Sequence, residues 1–197
     1  STLDWPNWTL PTLAYREAAP GRHLQLGIAR ARAAAPLLDH LTANPAFSEG
    51  WATYAEDLAK ELGAYEKDPA GRLGYLQSLL FRAAHMVADT GIHHDRWTRD
   101  RAVAYLVTVT GLPLAAMQSE IDRSIVWPGF ACAAMIGREK IRNLREDADI
   151  ELGPDFDLKS FHDAVLAGGA RPLGALESDI RDWIASRRPA PPALPQS

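Results

Sequence analysis

Along most of the chain apolar residues recur every three or four positions with polar residues between them, the period of a helix that buries one face. Thr12 to Ala19 has helical composition, Pro20-Gly21 interrupts it, and the pattern resumes through Leu24, Ile28 and Ala31 to an end near Pro36. Asn44-Pro45 marks a loop. Ser48 is placed to cap a helix from Glu49 to Leu62, with Trp51, Ala55, Leu58 and Leu62 at helical spacing and Gly63 as its stop. Asp68-Pro69 predicts the start of a long helix with an apolar face of Leu73, Leu76, Leu80, Ala83, Ala84 and Val87, ending near Asp89-Thr90-Gly91.

Thr98 then caps Arg99 to Val109, and Gly111-Leu112-Pro113 opens a helix through Met117 and Ile121. Trp127-Pro128-Gly129 is a break, after which Ala131 to Leu144 reads as helix. Gly153-Pro154 is a turn, Asp157 caps Leu158 to Leu166, and Pro172 starts a last helix through Trp183. No stretch alternates with period two among β-branched residues. The pattern therefore predicts an all-α domain of seven to nine helices over residues 12–186. A Trp- and Pro-rich lead-in (1–11) is expected to be extended and packed by Trp5 and Trp8, and residues 187–197 form a Pro-rich tail with disordered composition.

Composition narrows the function without naming it. The 197 residues are 47% hydrophobic and 23% charged, which is globular composition. A net charge of −4 gives no electrostatic reason to expect nucleic acid. One cysteine, Cys132, excludes an internal disulfide framework and reads as a small buried residue in an apolar helix. No apolar run reaches membrane-spanning length and no basic-then-apolar leader is visible, so no membrane partner is expected and the compartment, cytoplasm or periplasm, stays open.

The distinctive stretch is Arg16-Glu17-Ala18-Ala19-Pro20-Gly21-Arg22-His23-Leu24-Gln25. With it stand Phe47-Ser48-Glu49-Gly50-Trp51-Ala52-Thr53-Tyr54-Ala55-Glu56, Phe81-Arg82-Ala83-Ala84, Asp89-Thr90-Gly91-Ile92-His93, Val126-Trp127-Pro128-Gly129 and Phe161-His162-Asp163-Ala164-Val165-Leu166. By these motifs the chain resembles the C-terminal portion of the DUF885 family, bacterial proteins placed among the HExxH-type zinc metallopeptidases. The resemblance implies an all-α, zincin-like fold, with Glu17 at the general-base position and Glu49 at the third-ligand position. It also implies that the two expected histidine ligands are Arg16 and Arg22 here, with only the adjacent His23 kept. Ser124 stands where the family pattern has tyrosine, Phe130 where it has glutamine, Ala134 where it has a second tyrosine, and His85 where it usually has arginine.

A guanidinium is a permanent cation with no lone pair for coordination, so it does not replace imidazole as a ligand. The expectation is a zinc-less pocket without cofactor and without peptidase activity by the family route, in a chain acting as an interaction or regulatory subunit. Arg16 and Arg22 supply two positive charges, the formal charge of the zinc ion, and would neutralise Glu17 and Glu49. Two other functional readings stay open. One is a metal-independent enzyme using Glu17, His23 or His93 as acid–base groups on a small anionic molecule held by Arg16 and Arg22. The other is one chain of a heteromeric hydrolase. A new metal site from His23, His93 and Glu49 is also conceivable from the sequence. Family members are longer, and their N-terminal helices cover the cleft. The resemblance therefore implies exposed apolar surface and a homo-oligomer or a separate chain over the missing part, with contact expected at the Trp-rich start.

Overall fold

The capping signals become helix starts in a computed structural model, which describes residues 6–31 and 44–188. Asp68 accepts the Gly71 N–H at 2.8 Å, Thr98 accepts the Arg101 N–H at 3.2 Å, and Asp157 accepts the Ser160 N–H at 2.8 Å. Each bond satisfies a donor that the first turn of a helix leaves without an intrahelical partner. The described α-helices are α1 (Leu10–Glu17), α2 (Arg22–Arg30), α3 (Pro45–Glu61), α4 (Pro69–His93) and α5 (Arg99–Thr110). They continue as α6 (Leu114–Val126), α7 (Ala133–Leu152), α8 (Leu158–Ala167) and α9 (Leu173–Arg187), with 3-10 turns at Asn7–Thr9, Phe130–Cys132 and Gly153–Asp155. No strand occurs among the described residues, and the fold is all-α.

Several boundaries move from their sequence positions. α3 starts at Pro45, with Asn44 and not Ser48 at its cap, because proline supplies its own helical φ at the first turn. α7 runs on to Leu152, since nothing between Leu144 and Gly153 breaks it. The lead-in is not extended where it is described: Pro6 leads into a 3-10 turn, α1 begins at Leu10, and Trp8 is exposed. Trp5, Pro36 and residues 189–197 lie outside the described residues, as do the readings attached to them.

α3 lies at the centre, buried at every position from Trp51 to Ala59. It crosses α7 at two glycines. A Cβ on Gly50 would lie 2.5 Å from the Gly137 Cα, and one on Gly137 would lie 1.7 Å from the Ala46 carbonyl oxygen, so the helices touch backbone to backbone. On one side of this crossing Phe47, Trp51, Tyr54, Ile141, Leu144, Phe161, Val165, Leu176 and Ile180 form the larger core. A second core, built by α4, α5 and α6, holds Ala84, Ala88, Ala102, Val103, Leu106, Leu112, Met117 and Ile121.

The expected apolar face of α4 is a correction. Of its six residues only Ala84 is buried, while Leu73, Leu76, Leu80 and Val87 are exposed. The face turned inward carries Gly71, Gly74, Tyr75, His85, Ala88 and Asp89, whose polar groups find partners inside. The Tyr75 hydroxyl donates to Asp57 at 2.7 Å, and Asp89 accepts the Gly129 and Ala131 N–H groups at 2.9 and 3.2 Å. Satisfied polar atoms and small residues fixed this orientation against the hydrophobic pattern.

Candidate functional site

α1 and α2 are joined by four residues, Ala18 to Gly21, and this tight joint brings positions 16 and 22 to the same side. The Ala19–Pro20 peptide is cis, and the Trp51 indole N–H donates to the Pro20 carbonyl at 3.0 Å, tying the joint to α3. Gly21 is required by contact: a Cβ there would lie 1.9 Å from the Arg16 carbonyl oxygen. The Pro-Gly of the motif thus holds two arginines over the N-terminal half of α3.

Arg16, only 8% exposed, is the hub. Its Nη1 donates to the Thr53 hydroxyl at 2.8 Å and to Glu56 at 3.3 Å, its Nη2 donates to Glu49, and its Nε lies 3.3 Å from Glu17. Arg22 bridges the outer pair, donating from Nε to Glu17 at 2.9 Å and from Nη2 to Glu49 at 2.7 Å. Burial works against the Arg22 charge, but the bond and charge of Glu49 outweigh it and its pKa is raised. Deeper in, Glu56 is fully buried and also receives Arg82 Nη2 at 3.1 Å and the Ser78 hydroxyl at 2.8 Å. Burial, with Arg16 nearby, lowers Arg82 to about 10, and Glu56 opposes the shift; the guanidinium stays charged at neutral pH. Three arginines and three glutamates therefore form one connected lattice of zero net charge.

The carboxylates sit at different depths. The Glu17 side chain is 44% exposed and Glu49 18%, so the fully buried acid of the group is Glu56. His23 does not join the lattice: it is exposed on α2, beside a shallow depression lined by Leu10, Leu13 and Glu17. His93 is exposed at the end of α4, where its Nε2 lies 3.0 Å from the Ser124 carbonyl oxygen and 3.9 Å from Asp89. His23, His93 and Glu49 are not brought together, and among the described residues no group of three His, Cys, Asp or Glu side chains has the spacing of a metal site. The donor set at positions 16, 22 and 49 does not fit zinc. Two of the three positions hold groups with donors only, and both Glu49 oxygens already accept from arginines.

Two residues that the resemblance singles out meet elsewhere. His85 and Ser124, both buried, share a hydrogen bond of 2.7 Å between Nε2 and the hydroxyl. Burial lowers the His85 pKa, which favours the neutral ring. Cys132 is only partly buried, lining an apolar cleft with Trp127 and Ile136, and burial raises its thiol pKa away from the reactive thiolate. Sequence reasoning missed Glu56, Arg82, Thr53 and Ser78 as members of the site. A signal for Glu56 existed, a carboxylate seven residues after Glu49, which places it two turns along the same face of the helix.

The family model for "Bacterial protein of unknown function (DUF885)" matches residues 1–180. Among solved structures, one from Colwellia psychrerythraea is 44% identical with a TM-score of 0.89, over 92% of this chain and 31% of that one. One from Shewanella oneidensis is 27% identical with a TM-score of 0.81, over 89% of this chain and 32% of that one. Both are described as a "putative lipoprotein", the second also as "of unknown function". The chain thus spans about a third of the length of these relatives. No curated protein matches it.

Proposed function

Since the chain belongs to the DUF885 family, we propose that it is a zinc-less, non-peptidase member whose metal pocket has been replaced by an ion-pair lattice and which serves as an interaction or regulatory subunit. The observation that carries the reading is the use of Glu17 and Glu49. Each gives both carboxylate oxygens to Arg16 and Arg22, the two residues at the positions where the family resemblance places histidine ligands. A general base must be able to take a proton from a bound nucleophile. Both Glu17 oxygens are engaged by guanidinium groups, which leaves neither turned to a bound nucleophile.

The same bonding weakens the anion-pocket alternative. A carboxylate or phosphate entering between Arg16 and Arg22 would have to displace Glu17 or Glu49 from charge-assisted hydrogen bonds. For the alternative of acid–base catalysis by Glu17, His23 or His93, only Glu17 and His23 share a depression, and it is shallow. The names of the relatives add the proposal that this chain works outside the cytoplasm, as a lipoprotein would.

The test is a peptide-hydrolysis assay on a mixed peptide library, with and without added zinc. The chain is expected to leave the library intact in both cases. Cleavage that disappears in Glu17→Gln would overturn the reading.

A further inference from the structure

The outward face of α4 is built like an interior. From Leu73 to Asp89 its exposed positions are Leu73, Leu76, Leu80 and Val87, at 54%, 51%, 44% and 40% exposure, with no charged residue among them. At 1.5 Å per residue the stripe from Leu73 to Val87 is about 21 Å long. It does not end at the helix edge. Gln77 and Phe81, one step round α4, line a cavity of about 180 Å³ with Thr9, Thr12 and Leu13. Beyond that cavity α1 exposes Leu10 and Leu13 at 56% and 51%. A surface helix ordinarily turns charged residues outward, and a contiguous apolar face of this length marks a seat for another polypeptide.

We infer that this α1–α4 face seats the body of chain that the solved relatives carry beyond the third matched here. Two observations favour that occupant. The matched third keeps the relatives' fold at a TM-score of 0.89 with 44% identity, and 69% of the Colwellia chain lies outside the match, so a large further body accompanies this fold there. The leucines at positions 73, 76 and 80 have the three- and four-residue spacing that packs against a helix. The seat covers α4 and the cavity beside the Arg16–Glu56–Arg82 lattice, not only the Trp-rich start. The inference deepens the subunit half of the proposed function and is independent of the no-peptidase half, so its failure leaves the hydrolysis assay untouched.

The test compares this chain alone with a chimera in which it replaces the matched third of the Colwellia protein, each with and without Leu76→Glu/Leu80→Glu. Alone, the chain is expected to bind an apolar fluorescent dye and the variant to bind much less. The variant's melting temperature should stay within roughly 2 °C, because both leucines are exposed. In the chimera the dye should not bind, and the same substitutions should lower the melting temperature by roughly 10 °C. Equal dye binding by chain and chimera would overturn the inference. So would a discrete dimer of the chain alone that the variant returns to monomer, which would make a second copy the occupant. If the chimera does not fold, the relative's other two-thirds, co-expressed as a separate chain, should co-purify with the wild type and not with the variant; failure to co-purify would overturn the inference.

Discussion

Glu56→Gln removes one negative charge from the deepest point of the lattice and changes almost nothing else in shape. Glu56 is fully buried and accepts from Arg16 at 3.3 Å, Arg82 at 3.1 Å and Ser78 at 2.8 Å. The amide keeps an oxygen for one of these donors, but the lattice is left with three cations and two anions. Arg16 retains Glu17 and Glu49. Arg82 retains only its bonds to Ser78 among the described residues, with its side chain 15% exposed. Breaking a buried pair from one side costs about 3–5 kcal/mol. The lower end applies because water still reaches part of Arg82, so about 3 kcal/mol is expected, or a fall of roughly 6–12 °C in melting temperature for a chain of this size. Urea unfolding followed by circular dichroism measures it. Arg82→Met alone should cost less, because Glu56 keeps Arg16 and Ser78, while the double variant should be less destabilised than the two singles summed, by about 2 kcal/mol. A loss below about 0.5 kcal/mol in Glu56→Gln, or strict additivity in the double variant, would refute the claim that these charges hold one another in place.

Burial, with Arg145 nearby, lowers His162 to about 4, where it shares a 2.9 Å hydrogen bond with the Tyr54 hydroxyl. The folded state prefers the neutral ring and the unfolded chain protonates near 6.5. The stability this contributes is therefore complete above about pH 6.5 and is lost as pH falls from there to about 4. Urea midpoints over that window should fall less steeply for His162→Gln than for the wild type, and parallel profiles would contradict the assignment. Gly21→Ala forces a Cβ to 1.9 Å from the Arg16 carbonyl and should cost about 3 kcal/mol, whereas Gly27→Ala, inside α2 with nothing within 4 Å, should gain about 0.5–1 kcal/mol. Thermal melts of the two variants should move in opposite directions.

What the sequence made legible follows the range of the interactions involved. Asp68, Thr98 and Asp157 mark helix starts because each bonds to a backbone N–H three residues ahead, a contact written into a few adjacent letters. The orientation of α4 was not legible, because it is set by Tyr75, His85 and Asp89 finding Asp57, Ser124 and the Gly129–Ala131 backbone, partners 18 to 42 residues away. Hydrophobic periodicity shows that a helix has an apolar face, and burial against this chain is only one use for such a face. The site divides in the same way. Arg16, Glu17, Arg22 and Glu49 stand in recognisable motifs, while Arg82 joins them only because α4 passes beside α3. His85 and Ser124 stand 39 residues apart, and only the fold shows that they meet.

The central claim is that arginines occupy the place of a metal, and zinc content measures it most directly. The purified chain, equilibrated with zinc and dialysed, is expected to carry far less than one zinc per chain. Arg16→His/Arg22→His, which restores two imidazoles opposite Glu49, is expected to carry one. One zinc per wild-type chain, lost on Glu49→Ala, would contradict the account.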